Sequence, residues 1–198
     1  MNVWEIILAV GVGISLSAAC GFRVFVPMLA ISIAAKSGHL SLAGGFEWMA
    51  SWPAIVAFGV ATALEIAAYY IPWLDNLLDT IATPAAAVAG IIVTAACVSG
   101  MSPLLKWSLA VVAGGGAAVA VQALTVTTRA ASTATTGGAG NPLVSTAEAA
   151  ASTGLSVLAI LIPIAAIAVT VLIIVLLILL VRRFRRRRVQ HPAPAAAA

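Results

Sequence analysis

A few charged residues lie within long apolar stretches, where a charge needs a specific chemical reason. Glu65 stands 12 residues after Pro53 and 7 before Pro72, near the middle of one such stretch. If this stretch crosses a bilayer, an isolated charge at its centre costs at least ~2.5–3.5 kcal/mol. We therefore expect Glu65 to be protonated, paired, or turned toward a water-filled cavity.

Arg23 is the natural partner of Glu65, because arginine keeps its charge and needs an anion or a wet cavity. Two interpretations stay open. The pair can be structural and only fix the register of two helices. Alternatively, both side chains face a cavity, where Arg23 holds an anionic group and Glu65 carries a proton.

A second group of polar residues surrounds residues 129–145, a stretch rich in Thr, Ser and Gly. This stretch begins at Arg129. Its composition predicts an irregular or re-entrant segment. Backbone of this kind at membrane depth is tolerated only inside protein or along a cavity. Asn141 lies near its end. Ser145 and Glu148 have the spacing of a capping box, so Glu148 either closes that cap or joins a polar site.

Two further acids follow the stretch that holds Glu65. Asp75 and Asp79 are four residues apart and share one face of a short helix, either as solvated loop acids or as site residues. The full predicted polar cluster is Arg23, Glu65, Asp75, Asp79, Arg129, Asn141 and Glu148.

The residues that hydrolytic or metal chemistry requires are scarce. His39 and His191 are the only histidines, and they fall in a loop and in the tail, so neither a catalytic triad nor a zinc site is expected. A Mg²⁺ or Ca²⁺ site would need more oxygen ligands than the two aspartates supply. We expect no enzyme activity, no metal and no cofactor, and an intramembrane enzyme acting on lipid is the weakest hypothesis.

Composition identifies the medium in which these charges lie. Apolar residues make up 63% of the 198 residues and charged ones only 8%, whereas a soluble domain carries about 25% charged residues. Six arginines occur in the run 182–188, directly after an apolar stretch. This placement is typical of a cytoplasmic anchor that contacts anionic lipid rather than of a nucleic-acid tail. The sequence therefore predicts an all-α polytopic membrane protein with lipid, and no nucleic acid, as a partner.

The apolar stretches predict about five transmembrane spans with the N-terminus outside and the C-terminus cytoplasmic. Residues 1–188 form one transmembrane domain, and residues 189–198 are a disordered Pro/Ala tail. Three prolines are expected to break or kink helices: Pro27 in the first stretch, Pro72 after the second, and Pro163 in the last.

Small residues recur every four positions in the first stretch, at Gly13, Ser17 and Gly21. Such a stripe lets another helix approach closely. The partner helix can belong to the same chain or to a second copy, so a homo-oligomer stays open.

Several of these motifs, in this order, resemble a bacterial membrane family, domain of unknown function 4126. The resemblance covers roughly residues 8–180 and implies a polytopic protein of the bacterial inner membrane, without an established activity. Tyr69 and Tyr70 depart from the acidic-then-basic pattern associated with their positions, which weakens a charge relay there. The motifs are Gly21-Phe22-Arg23-Val24-Phe25-Val26-Pro27, Glu65, Ile71-Pro72-Trp73-Leu74-Asp75 with Asp79, Thr83-Pro84 with Gly90, Arg129, Asn141-Pro142 and Ser145-x-x-Glu148.

The charges near helix breaks favour a small membrane transporter or binding protein, since transporters place substrate sites at such breaks. Arg23 and Arg129 would hold a small anionic or lipid-like ligand. The alternative is a structural or helper subunit whose buried charges only fix helix packing.

Overall fold

The computed structural model describes residues 2–190, without the side chains at positions 72, 73, 75, 76, 79, 180, 181 and 184–190. The described chain is helical and contains no strand, which confirms the all-α prediction. A 3-10 turn at Glu47–Ala50 precedes α3, and a π-helical segment at Ala110–Gly115 joins α5 to α6. The helices are α1 (Val3–Cys20), α2 (Phe25–Lys36), α3 (Trp52–Ala68), α4 (Pro72–Cys97), α5 (Pro103–Leu109), α6 (Gly116–Thr136), α7 (Asn141–Leu161) and α8 (Pro163–Gln190).

Four helical segments in the described chain are long and apolar enough to cross a bilayer: Val3–Cys20, Thr80–Cys97, Pro103–Thr136 and Asn141–Leu161. Three shorter apolar helices accompany them. Many large apolar side chains lie on the outside of the bundle, which suits contact with lipid. The chain is therefore a helical membrane protein, as the composition indicates. Of the predicted tail, residues 191–198 lie outside the described residues, and the first two continue α8.

The break in the first apolar stretch lies at residues 21–24, so the prediction that Pro27 makes it is wrong by about one turn. Pro27 stands in the first turn of α2. A proline at this position removes no hydrogen bond within the helix, because the first amides of a helix have no partner within it. The predicted break rests on proline alone. Proline is accommodated in the first turn of a helix, although it disrupts a helix interior.

Helices α1 and α2 form a hairpin rather than one long path. The Thr94 hydroxyl donates to the Gly13 carbonyl at 3.1 Å, and the Ala43 amide donates to the Ala96 carbonyl at 2.7 Å. Thr94 contacts Gly13 in the middle of α1, and Ala96 is only two residues from Thr94 in α4. Ala43, which follows α2, therefore lies near the level of the middle of α1, so the chain has turned back.

The last two helices run antiparallel to α1. The Ser152 hydroxyl donates to the Ala19 carbonyl at 2.9 Å, while Ile167, further along the chain, packs against Gly11. The N-terminal end of α1 and the C-terminal end of α8 consequently lie at the same end of the bundle. The expectation that the two termini lie on opposite sides is wrong, because it treated the α1–α2 hairpin as a single span.

The other two predicted breaks coincide with helix starts. Pro72 is the first residue of α4 and Pro163 the first of α8, positions where proline is favoured. Between α7 and α8 only Ile162 leaves helical geometry, with φ −136° and ψ 71°. Pro84, part of the Thr83-Pro84 motif, lies inside α4.

Residues 129–145 are far more regular than expected. Helix α6 continues to Thr136, and only residues 137–140 are non-helical before α7 begins. The hydroxyls of Thr135 and Thr136 donate back to carbonyls three or four residues earlier, so these side chains are satisfied within the helix. Gly137, at φ 62°, then ends α6 in the left-handed conformation that glycine adopts without strain.

The small residues of α1 bring three helices of this chain together. The Ser17 hydroxyl donates to the Gly114 carbonyl in the π-helical segment. A Cβ atom on Gly90 of α4 would meet both Ser17 and, at 2.7 Å, the Ala118 Cβ. The stripe that includes Gly13 therefore packs within the chain, against α4 and α6.

Candidate functional site

The charged cluster forms where the 21–24 break, the end of α3, α6 and α7 meet. Arg23 is 1% exposed, Arg129 3% and Glu148 5%. At such exposures these side chains depend on protein groups for their hydrogen bonds, because neither water nor lipid headgroups reach them.

Glu148 is the carboxylate that both arginines face. Arg129 donates from Nε to Glu148 Oε1 at 3.1 Å and from Nη2 to Oε2, which makes a two-point fork. Arg23 Nη2 lies 3.5 Å from the same Oε2 atom. The pairing is thus unequal: Glu148 is tied to Arg129 by two hydrogen bonds and to Arg23 by a looser ion pair.

The predicted capping box at Ser145 and Glu148 is wrong, because α7 begins at Asn141 and both residues lie inside it. Their spacing instead places them on one face of the helix. Arg23 Nη2 donates to the Ser145 carbonyl at 2.8 Å and also to its hydroxyl. Sequence reasoning omitted Ser145 from the site, although its three-residue distance from Glu148 was the available signal.

Tyr69 is a further site residue that sequence reasoning missed. Its buried ring lies under both guanidinium groups, with the Cζ atoms of Arg23 and Arg129 at 4.0 Å and 3.9 Å from the ring centroid. Each contact is a cation–π interaction, which strengthens when the groups are desolvated. The tyrosine that departs from the family pattern therefore packs against both arginines.

Glu65 is bound differently from the prediction. Its carboxylate accepts hydrogen bonds from the backbone amides of Val24 at 2.7 Å and Phe25 at 3.0 Å. These amides begin α2, which has no cap from its own preceding side chain. Glu65 therefore caps α2 from α3, while Arg23 makes its described ion pair with Glu148 instead.

Replacing Glu65 with Gln is expected to lower the free energy of unfolding by about 2 kcal/mol, because hydrogen bonds to a charged group contribute ~1.5–3 kcal/mol each and the amide can retain one acceptor. The measurement is reversible unfolding in mixed detergent–SDS micelles. Glu5→Gln is the matched control, since Glu5 also accepts from a backbone amide, that of Asn2, but at an exposed helix start. An equal loss in both variants would contradict the capping role.

Arg23 has donors that nothing in the described residues uses. Its Nε and Nη1 atoms are buried and have no hydrogen-bond partner there. A guanidinium group carries five N–H donors, and an unused buried donor costs free energy comparable to a lost hydrogen bond. Each of these two nitrogens can therefore donate a further hydrogen bond.

The remaining predicted site residues lie around this centre. Asn141 begins α7, and its Nδ2 donates to the Thr133 hydroxyl at 3.1 Å, which links α7 to α6. Asp75 and Asp79 lie in the first turns of α4, and their side chains are outside the described residues. The part of the chain that the structure describes holds no group of three or more His, Cys, Asp and Glu that could bind a metal.

The cluster is closed in this conformation, in that Arg23, Arg129 and Glu148 are at most 5% exposed. Four cavities lie among residues with described side chains, and none of these four is lined by Arg23, Glu65, Arg129 or Glu148. One apolar groove of about 440 Å³ between α2, α3 and α7 begins beside the cluster, at Ile66. A ligand would therefore reach Arg23 only after a local opening.

Fold and site together define a polytopic helical membrane protein that encloses an arginine–carboxylate cluster in its bundle. The chain belongs to the family described as Domain of unknown function (DUF4126), whose model matches residues 10–183. The resemblance inferred from the motifs is thereby confirmed. No curated protein and no solved structure matches the chain.

Proposed function

We propose that the protein is a small membrane transporter or binding protein whose ligand carries an anionic group. The observation that carries this proposal is Arg23, buried at 1% exposure with Nε and Nη1 unpartnered among the described residues. An arginine guanidinium group binds the oxygens of a carboxylate or phosphate through its N–H groups. Nε and Nη1 of Arg23 each have a donor for one such oxygen, while Nη2 is bonded to Ser145.

Arg129 and Arg23 contact Glu148 differently, so we assign them different roles. Arg129 is held by a two-point fork and serves as the fixed cation of the site. Arg23 lies 3.5 Å from Glu148 and stays bonded to Ser145 through Nη2, so its Nε and Nη1 remain to donate to an incoming anion. Tyr69 packs against both guanidinium groups and holds them in place.

Glu65 supplies a way to open the closed site. Its carboxylate holds the first amides of α2, next to Arg23 in the 21–24 break. Protonation of Glu65 would weaken these two bonds and release the start of α2. Binding of a proton by Glu65 would then be coupled to entry of the ligand. Transporters commonly have non-helical backbone at the substrate site, and the 21–24 break is such a segment.

We extend the proposal to location and partners. The protein lies in the bacterial inner membrane, with the arginine run of residues 182–188 on the cytoplasmic side against anionic lipid. Its ligand is a small anion or a lipid-like molecule, since an apolar groove begins beside the cluster. We propose no nucleic-acid partner and no enzymatic reaction, and a homo-oligomer is compatible with the bundle.

The proposal predicts that the wild-type protein, extracted with native lipid and studied by native mass spectrometry, retains an anionic molecule. Arg23→Lys keeps the charge but removes the Nε and Nη1 donors, and it should reduce the retained fraction about tenfold or more, since charge-assisted bonds contribute ~1.5–3 kcal/mol each. Lys36→Arg is the matched control, because Lys36 is an exposed cation outside the site and this exchange also keeps the charge.

Equal retention by Arg23→Lys and wild type would contradict the proposal, provided both show the same circular dichroism spectrum. Loss in the Lys36→Arg control as well would show that retention does not depend on the site. Either result would remove Arg23 from the account.

A structural or helper subunit is the second candidate, and the closed cluster favours it. Arg23, Arg129 and Glu148 are at most 5% exposed, as expected if these charges serve to hold α6, α7 and the 21–24 break together. This alternative predicts that Arg23→Lys lowers the unfolding temperature in detergent while no retained ligand is found in the wild type.

A further inference from the structure

A long apolar groove lies on the outer side of the bundle between α2, α3 and α7, with a volume of about 440 Å³. Along α2 it extends from Val26 to Ser37, which is about 16 Å of chain at the helical rise. Its walls are open to the surroundings of the bundle, since Ile33 is 49% exposed, Val157 47% and Leu161 63%. In a helical membrane protein such a groove faces lipid, so an occupant can enter it sideways from the bilayer.

The two ends of this groove differ in chemistry. One end begins at Ile66, beside the charged cluster, and the other end is formed by Ser37 and His39. His39 is the one ionisable residue among the described side chains that line the groove. Both residues of the polar end are exposed, and the Ser37 Oγ lies 2.9 Å from the His39 Nδ1. The groove is therefore apolar along its length and polar at one end.

Lys36 adds a positive charge at the polar end. This exposed lysine is the last residue of α2, directly before Ser37, and its Nζ lies 5.5 Å from the ring centroid of Trp52. Trp52 is 66% exposed and is the first residue of α3, so the ammonium group lies between two of the helices that form the groove. The acid of the following loop, Glu47, accepts from the Gly45 amide within its own turn.

The polar end also lies at the boundary between lipid and water. The loop after α2 meets the loop before α5 there: the Ala43 amide donates to the Ala96 carbonyl at 2.7 Å, and the rings of Phe46 and Trp107 are 6.4 Å apart. Non-helical backbone does not face the hydrocarbon of a bilayer, and tryptophan and lysine concentrate at its boundary. Lys36 therefore lies at the level of the lipid head groups.

We propose that this groove binds an anionic phospholipid, with one acyl chain along the apolar walls and the phosphate at Lys36 and His39. An ammonium group and an imidazole N–H are both donors for phosphate oxygens. The apolar walls gain free energy when an acyl chain covers them. An anionic head group is favoured over a zwitterionic one, because the latter brings its own cation toward Lys36. The site does not rest on the function proposed for the Arg23 cluster.

The test is native mass spectrometry of the delipidated full-length protein, titrated with dioleoylphosphatidylglycerol or with dioleoylphosphatidylcholine. The two lipids have the same chains and differ in head-group charge. The Kd of the first bound lipid should be about fivefold or more lower for phosphatidylglycerol, the difference expected for one lysine at the head-group level. Glycerol phosphate, which has no chains, should not displace it.

Lys36→Gln tests the head-group contact and should weaken phosphatidylglycerol binding about fivefold, to the level of phosphatidylcholine. Lys106→Gln is the matched control. Lys106 packs against Phe46 and Trp107 and does not line the groove, so its loss removes the same charge without altering the site.

Val157→Trp tests the chain contact without altering any charge. Its indole would occupy the groove from an exposed position, so the unfolding temperature should be retained while the first lipid is lost. Val119→Trp is the control, since Val119 is 38% exposed on α6 and lines none of the four cavities. The proposal is overturned if both lipids bind wild type equally, if glycerol phosphate displaces the lipid, if Lys106→Gln weakens binding as much as Lys36→Gln, or if the two tryptophan variants bind alike.

Discussion

Replacing Glu148 with Gln is expected to lower the free energy of unfolding by about 3–5 kcal/mol, the range for removal of one partner from a buried ion pair. Glu148 is the carboxylate that both Arg23 and Arg129 face. The neutral amide would remove the charge that both buried guanidinium groups face. It would also turn a donor toward at least one of them. Reversible unfolding in mixed detergent–SDS micelles measures this loss.

Glu47→Gln is the matched control for this prediction. Glu47 is an exposed carboxylate that accepts from the Gly45 amide at 2.8 Å, within its own loop. The control should change the free energy of unfolding by less than about 1 kcal/mol. A Glu148→Gln variant as stable as this control would mean that the cluster does not depend on the shared carboxylate.

The second large effect is expected at Gly21, where Ala should cost about 3 kcal/mol, the upper part of the range for overpacking. A Cβ atom there would meet the Ala118 carbonyl oxygen, the Val121 Cβ at 2.6 Å and the Gln122 amide nitrogen at 3.0 Å. Two of these atoms are main chain, so α6 as a whole would have to move. Thermal unfolding in detergent reports the change.

Gly59→Ala is the control for the close approach. Gly59 lies in α3, and a Cβ added to it would meet nothing within 4 Å. Alanine there should be neutral or stabilising by up to ~1 kcal/mol, because it lowers the entropy lost on folding. Equal tolerance of alanine at both positions would argue against direct packing of the 21–24 break on α6.

The sequence identified the charged centre but not its pairing. Arg23, Arg129 and Glu148 could be singled out because a charge in an apolar stretch is costly wherever the helices pack. Which carboxylate meets which arginine depends on the arrangement of helices that are distant in sequence. Arg23 was therefore assigned to Glu65, although Glu65 caps α2 and Glu148 faces Arg23.

The other differences between the prediction and the structure arise because one local sequence pattern can indicate two different structures. Pro27 suits a helix start as well as a break, and the spacing of Ser145 and Glu148 describes a capping box or one face of a helix equally well. Hydropathy located the apolar stretches but could not show that α1 and α2 turn back on each other. In the sequence, Tyr69 is one residue near the end of an apolar stretch, without a pattern that indicates a site. Its packing against two arginines is visible only in the tertiary structure.

The most direct test of the central claim is an experimental density map of the protein extracted with its native lipids, resolved well enough to show the surroundings of Arg23. The account predicts non-protein density with an oxygen within about 3 Å of Nε or Nη1, the two atoms that have no partner among the described residues. The contradicting result is a map in which both nitrogens donate to groups of the protein itself and no such density is present.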